Sequence, residues 1–336
     1  MPAESIKQTV SQPARFSYLF MLGTFVLVGC FQLATPLLVA LFGYLALTKL
    51  HFLKFGGKLL AVATFIVLVS GAAYGLGYFI RQTVPVLPEI ADKSIPSVID
   101  LAKQYRIELP FTDYDSFKDI ALDTVRSQAN YLGSIARLAR GATTQLLFLL
   151  AGIVVAISLF LRPQFELGAD EGDLYSACCE EIAARFQTLY RSFVTVMGAQ
   201  VIIAAINTVL TGIFVAVAGL PYSVVVIGAT FLCGLIPVVG NLVSNTIIVS
   251  IGLTVSPRLA LTALIFLVVI HKLEYFLNSK IVGWRTRNPF WLTLLALVVG
   301  ERLIGLPGMI LAPVVLNYIR VEASRISFRE RSDRTG

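Results

Sequence analysis

Charge is scarce in this chain. Asp, Glu, Lys and Arg make up 14% of its 336 residues, against about 25% in a soluble domain. Hydrophobic residues reach 57% and mean hydropathy is +0.80. That balance excludes an ordinary water-soluble globule and leaves a polytopic helical membrane protein. Histidine is nearly absent, with only His51 and His271, far apart in sequence. The four cysteines have neither metal-ligand spacing nor a nearby histidine. Cys30 and Cys233 lie in apolar runs, and Cys178 and Cys179 are adjacent in a polar stretch. A zinc site and a disulfide framework are therefore not expected, and all four read as small packing residues. Enzyme signatures are missing as well. No Gly-x-x-x-x-Gly-Lys loop, His-Glu-x-x-His or Gly-x-Ser-x-Gly occurs, so neither cofactor nor catalytic residue is expected. The net charge of +7 is assigned to Lys and Arg in cytoplasmic loops rather than to nucleic acid.

What is present is a succession of apolar runs. The first, 16–33, is too long for a signal-peptide core and lacks a small-residue cleavage site, so it reads as a retained anchor. Pro36 opens a second run that ends near Lys49, and Lys49, His51, Lys54 and Lys58 form a short basic loop before a third run at 59–80. The N-terminus and this loop are assigned to the cytoplasm by their basic residues. Residues 81–142 are polar, with eight basic and eight acidic residues over 81–141, and form an extracytoplasmic helical insert. Pro85, Pro88, Pro96 and Pro110 punctuate it. Its second half reads as one amphipathic helix, from a cap at Asp113 or Asp115, that continues into a span at 144–161. A polar, partly amphipathic segment follows at 164–191, then a fifth span at 193–218 closed by Gly219-Leu220-Pro221. The domain plan is thus 1–80 (first three runs), 81–142 (insert), 143–192 (long helix and amphipathic segment), 193–320 (core) and 321–336 (basic cytoplasmic tail).

The core holds the most informative stretch. Residues 224–254 are apolar but broken by Leu235-Ile236-Pro237-Val238-Val239-Gly240-Asn241. Unbroken, the helix would measure roughly 47 Å at 1.5 Å per residue, against a hydrocarbon core about 30 Å thick. A break at that depth frees backbone groups that lipid cannot satisfy, so it must be buried in protein or line a cavity. A second interrupted segment, 289–319, is broken at 300–308. Two topologies fit: eight full crossings, or six-odd spans with 224–254 and 289–319 as re-entrant hairpins. The hairpins are favoured, because they place Lys280, Arg285 and Arg287 inside. A matched pair of Gly/Pro-interrupted segments also points to a transporter site. The fold expected is an all-α polytopic integral membrane protein with about 6–8 transmembrane segments.

Ionisable and amide residues inside the spans are the candidate site. His271, Glu274 and Asn278 share a helix face at i, i+3 and i+7, where a carboxylate and an imidazole can carry a proton or simply bond each other. Pro237 frees carbonyls, Gly240 permits close approach, and Asn241, Ser244 and Asn245 can turn polar groups to a solute or cap the break. Gln200 and Asn207 form a polar stripe on the fifth span that interhelical hydrogen bonding would explain equally well.

Several motifs carry a resemblance. They are Gly219-Leu220-Pro221, Ile236-Pro237-Val238-Val239-Gly240-Asn241, Glu274 with Asn278, Lys280-Ile281-Val282-Gly283, Asn288-Pro289, and Gly305 and Gly308 with Leu311-Ala312-Pro313. In this order and spacing, over about 191–320, the chain resembles the autoinducer-2 exporter (AI-2E) family of bacterial permeases. The resemblance implies a bacterial inner-membrane protein that exports or exchanges small solutes. Signalling molecules such as autoinducer-2 are one substrate class, and sodium/proton exchange is assigned to some relatives. It also implies a homo-oligomer, with a pentamer as one form. Glu301-Arg302 departs from the small or apolar residues usual in the last break, either as a self-neutralising pair or as a solute contact. Besides a secondary transporter, a channel-like pore and a non-transporting scaffold with the insert as binding module remain open.

Overall fold

The computed structural model describes residues 11–52, 57–104, 106, 116, 135–162, 173–237, 239–281 and 289–325. The expected helix from Asp113 into the 144–161 span falls largely outside them, as do the loop at 282–288 and the tail beyond 325. Among the described residues the fold is all-α, in eleven helices and without strands. They are α1 Gln12–Cys30, α2 Ala34–Phe52, α3 Lys58–Thr83, α4 Val86–Gln104, α5 Ile135–Leu161, α6 Leu174–Ala218, α7 Ser223–Gly234, α8 Val239–Val255, α9 Pro257–Ile281, α10 Phe290–Ile304 and α11 Leu306–Arg325. Six are long and apolar enough to cross a membrane: α1, α2, α3, the 143–161 part of α5, α6 and α11. Their outer surfaces are apolar. Val217 is 83% exposed and Val67 70%, an arrangement suited to lipid rather than to water.

The chain divides into two compact units, each assembled from separate stretches. One comprises Met1–Leu53, Phe148–Val196 and Thr286–Gly336. In it α11 packs on α10 and α2, and α1 on α10. Gly305, at φ 72°, makes the abrupt turn from α10 to α11, a backbone conformation that favours glycine. Above this turn the two helices meet backbone to backbone, since a Cβ on Gly300 would lie 2.5 Å from the Gly308 carbonyl oxygen. Phe42 and Phe193 meet edge to face at 4.8 Å, tying α2 to the first part of α6.

The other unit comprises Lys54–Leu147 and Met197–Arg285. Its core is built from Ile90 of α4, Val215 and Leu220 at the end of α6, Val226 of α7, Ile248 and Ile251 of α8, and Ala263 and Leu267 of α9. Helix α6 ends in a glycine cap: Gly219 takes φ 64° and the Leu220 N–H bonds the Val215 carbonyl at 3.2 Å, the wrap of a Schellman turn. Helices α7 and α8 pack against each other as a hairpin, α9 packs on α8, and α4 lies on α8 and α3. Helix α4 buries Ile90, Ile95, Ile99 and Ala102 and exposes Asp92, Lys93, Asp100 and Lys103. The prolines that punctuate this part of the insert do not break it: Pro88 sits in the first turn, where an N–H has no intrahelical partner, and Pro96 is carried within the helix. Lys93 and Ser97, one turn apart on α4, reach the two ends of the hairpin segment. Lys93 Nζ donates to the Tyr222 hydroxyl at 3.5 Å and Ser97 Oγ to the Leu253 carbonyl at 3.4 Å.

Helix α6 runs unbroken for 45 residues, so the polar stretch ending at Arg191 and the apolar one starting at Phe193 are one helix. At 1.5 Å per residue it is roughly 67 Å long, about twice what a bilayer core requires. No Pro or Gly separates the two stretches; only a change of side-chain polarity does.

Candidate functional site

The first interrupted segment supplies the frame of the site. Helix α7 has 12 residues and α8 has 17, so neither alone reaches across a bilayer core of about 30 Å. Around Pro237 the chain turns tightly: the Ile236 N–H bonds the Cys233 carbonyl at 2.8 Å, the Val239 N–H the Pro237 carbonyl at 2.7 Å, and the Gly240 N–H the Ile236 carbonyl at 3.3 Å. Gly240 then passes directly against the last turn of α7, where a Cβ would overlap the Cys233 carbonyl oxygen. Only glycine fits there. The Gly234 carbonyl, at the end of α7, accepts from Gln200 Nε2 at 2.6 Å. A freed carbonyl at the break is thus satisfied from α6, as membrane depth requires.

One residue beyond Gly240, Asn241 points its amide at α9. Asn241 Nδ2 donates to Glu274 Oε1 at 3.0 Å and Oε2 at 2.9 Å. Asn207 of α6 donates from Nδ2 to Glu274 Oε2 at 3.4 Å. One turn along α8, Asn245 Nδ2 lies 2.7 Å from His271 Nε2, while His271 Nδ1 lies 3.6 Å from Glu274 Oε2. Three helices thus bring Asn207, Asn241, Asn245, His271 and Glu274 into one polar cluster, with Gln200 two turns along α6 holding the break. Ser244, buried between the two asparagines in sequence, bonds back to the Asn241 carbonyl at 3.2 Å. Asn207 is 5% exposed, and its Oδ1 is buried without a hydrogen-bond partner.

The electrostatics are unusual for a carboxylate at this depth. The Glu274 side chain is only 15% exposed, and its ion-pair partner among the described residues is His271, whose side chain is 44% exposed. Two neutral amides orient the carboxylate without neutralising it. An amide donor satisfies lone pairs but leaves the charge in place, and an uncompensated charge in low dielectric is costly. Among the described residues no lysine or arginine is paired with this carboxylate.

The other candidates sit elsewhere. Asn278 lies one turn beyond Glu274 on α9, with its side chain outside the described residues. Glu301 and Arg302 are exposed at the end of α10 and, with Gly308, fall in the other unit. Among the described residues no ion pair joins Glu301 to Arg302. Gly308 instead serves the backbone contact with Gly300.

That unit also carries a charge cluster that sequence reasoning missed. Arg185 of α6, 9% exposed, pairs with Glu322 of α11, 4% exposed, at 2.6 Å. It also pairs with Glu181 at 2.6 Å, stacks 4.5 Å over the Tyr18 ring and donates to Ser17 Oγ at 3.4 Å. Arg325 completes the set, bonding Thr188 Oγ1 at 3.1 Å and Glu322 at 3.4 Å. Charges balance here, two cations against two carboxylates, the mark of a structural tie. Partners 137 residues apart leave no local pattern. The one available signal was Glu322, an acid set between Arg320 and Arg325.

Several apolar helices of membrane-spanning length, all-α among the described residues, define a multi-pass membrane protein. The chain belongs to the family described as AI-2E family transporter, whose model matches residues 16–322. Among curated proteins, the "Putative transport protein YdbI" of Bacillus subtilis (strain 168) is 30% identical over 142 residues, 42% of this chain and 41% of the relative. The "Putative transport protein YueF" of the same organism is 33% identical over 125 residues, 34% of this chain and 33% of the relative. The matches span less than half the length of these relatives.

Proposed function

We propose that this protein is a secondary transporter of the bacterial inner membrane that exports or exchanges a small polar solute, coupled to a cation at Glu274. The carrying observation is the Glu274 carboxylate beside the break at Pro237 and Gly240, oriented by Asn207 and Asn241 and, among the described residues, without a lysine or arginine partner. Such a group takes up a proton or small cation and releases it when the surrounding helices rearrange. The open Asn207 Oδ1 is a further ligand for that cation or for the solute. Broken helices at mid-membrane are the recurring way secondary transporters build such sites.

A re-entrant first hairpin fits the same reading. Tyr222 and Leu253, at the two ends of the segment, contact residues one turn apart on α4, which favours entry and exit on one face. With both termini cytoplasmic, that face is extracytoplasmic, and α4 lies across the hairpin mouth. A similar arrangement is proposed for 289–319, opening to the cytoplasm, and a homo-oligomer for the assembly. Autoinducer-2 and related signalling molecules are one substrate class; sodium/proton exchange, which needs only the carboxylate, is the other reading this observation favours. Flux into proteoliposomes, screened over small polar metabolites with and without imposed sodium and pH gradients, tests the proposal. Saturation and counterflow are expected; flux that rises linearly with concentration and shows no counterflow would indicate a fixed pore.

A further inference from the structure

A cleft of about 560 Å³ lies between α2 and α6 within the first unit, and none of its lining residues belongs to the Glu274 cluster. It is lined by the apolar Leu45 and Val194, by the hydroxyl side chains of Thr48 and Tyr190, and by two cations, Lys49 and Arg191. Tyr190 is fixed in place: its ring meets Tyr44 edge to face at 4.9 Å and its hydroxyl lies 3.3 Å from Thr48 Oγ1. Arg185 and Arg325 in the same unit are paired with Glu181 and Glu322. Among the described residues neither Lys49 nor Arg191 has a carboxylate partner.

Two independent elements set the depth of this cleft. Lys49 stands in the last turn of α2, whose membrane-length stretch ends at His51. Arg191 stands where α6 changes from polar to apolar, two residues before buried Phe193. By these two markers the cleft falls at the boundary between hydrocarbon and water, where cations and apolar side chains lie together. Tyrosines are at home at that level. A free anion has no use for Leu45 and Val194, and a neutral lipid has none for two cations that lack a carboxylate partner among the described residues. Basic pockets between membrane helices at this depth suit anionic lipid headgroups.

We propose that this cleft is a binding site for an anionic phospholipid, its phosphate held between Lys49 and Arg191 and the first carbons of its chains against Leu45 and Val194. The test uses the full chain, delipidated in a neutral detergent and titrated with fluorescent phosphatidylglycerol, fluorescent phosphatidylcholine, or inorganic phosphate as competitor. Saturable binding of phosphatidylglycerol is expected, with phosphatidylcholine much weaker. Each cation near an anionic group contributes about fivefold, so Lys49→Gln with Arg191→Gln should weaken phosphatidylglycerol binding by about 25-fold. A second measurement keeps both cations. A photoreactive residue at Leu45 should label phosphatidylglycerol in preference to phosphatidylcholine, whereas one at Leu19, 68% exposed on α1, should label both alike. Equal binding of the two lipids, undiminished binding by the double variant, displacement by phosphate at the lipid's own concentration, or no preference at Leu45 would each overturn the assignment.

Discussion

Replacing Gly240 by Ala adds one methyl group at the tightest point of the α7–α8 hairpin. The new Cβ would overlap the Cys233 carbonyl oxygen and lie 2.6 Å from its carbon. Both are backbone atoms, so no rotamer change relieves the clash, and the two helices must part by roughly 1 Å or more to restore van der Waals contact. Overpacking of this kind costs about 1–3 kcal/mol, although alanine by itself favours helix over glycine by about 1 kcal/mol. The displacement falls next to Asn241, whose two bonds to Glu274 at 2.9 and 3.0 Å leave little slack. The variant should therefore melt several degrees lower in detergent, followed by intrinsic fluorescence, and transport more slowly in proteoliposomes even below its melting temperature. Gly23→Ala, where nothing lies within 4 Å of the new methyl, is the control and should be neutral or slightly stabilising. If Gly240→Ala melts and transports like the parent, the backbone contact at the break is not what holds the site.

Pro237→Ala removes a residue that opposes continuous helix by about 3 kcal/mol, so the break should close toward regular helix; insertion should stay near normal while flux falls, measured by yield in the membrane fraction and by uptake. Arg185→Ala strips Glu322 of its buried partner and should cost about 3–5 kcal/mol, whereas Arg185→Met with Glu322→Leu should recover much of that loss; thermal melts of the single and double variants check the difference. Gln200→Leu leaves the Gly234 carbonyl without its 2.6 Å bond, a loss of about 1–3 kcal/mol that should register as a lower melting temperature with the Asn241–Glu274 bonds untouched.

How far the sequence carries depends on the range of the interaction. The all-α membrane architecture is legible because scarce charge and long apolar runs are properties of whole stretches. The interruption at Pro237 and Gly240 is legible because proline and glycine act on their own backbone. Gln200, Asn207, Asn241, Asn245, His271 and Glu274 stand out one at a time as polar groups in apolar runs. That five of them converge on one cluster while Gln200 serves the Gly234 carbonyl is tertiary information, set by how α6, α8 and α9 pack. The Arg185–Glu322 tie is illegible for the same reason, compounded by its place at the polar edge of the spans, where a lone charge excites no suspicion. Helix α6 misleads differently: the change from polar to apolar near Arg191 resembles a loop-to-span boundary, yet nothing in those residues stops a helix. In α4 the reverse occurs, since Pro88 and Pro96 suggest breaks that its buried face of Ile90, Ile95 and Ile99 overrides.

The central claim is that the Glu274 charge, oriented but not neutralised by its neighbours, couples a cation to solute movement. Glu274→Gln keeps the shape and can still bond Asn207 and Asn241, but it carries no charge and exchanges no proton. The decisive measurement is solute exchange and gradient-driven flux, side by side, in proteoliposomes of the parent and of Glu274→Gln, with melting curves confirming that both are folded. The account predicts that Glu274→Gln retains exchange and loses stimulation by the pH or sodium gradient. Full gradient stimulation in well-folded Glu274→Gln protein would contradict it.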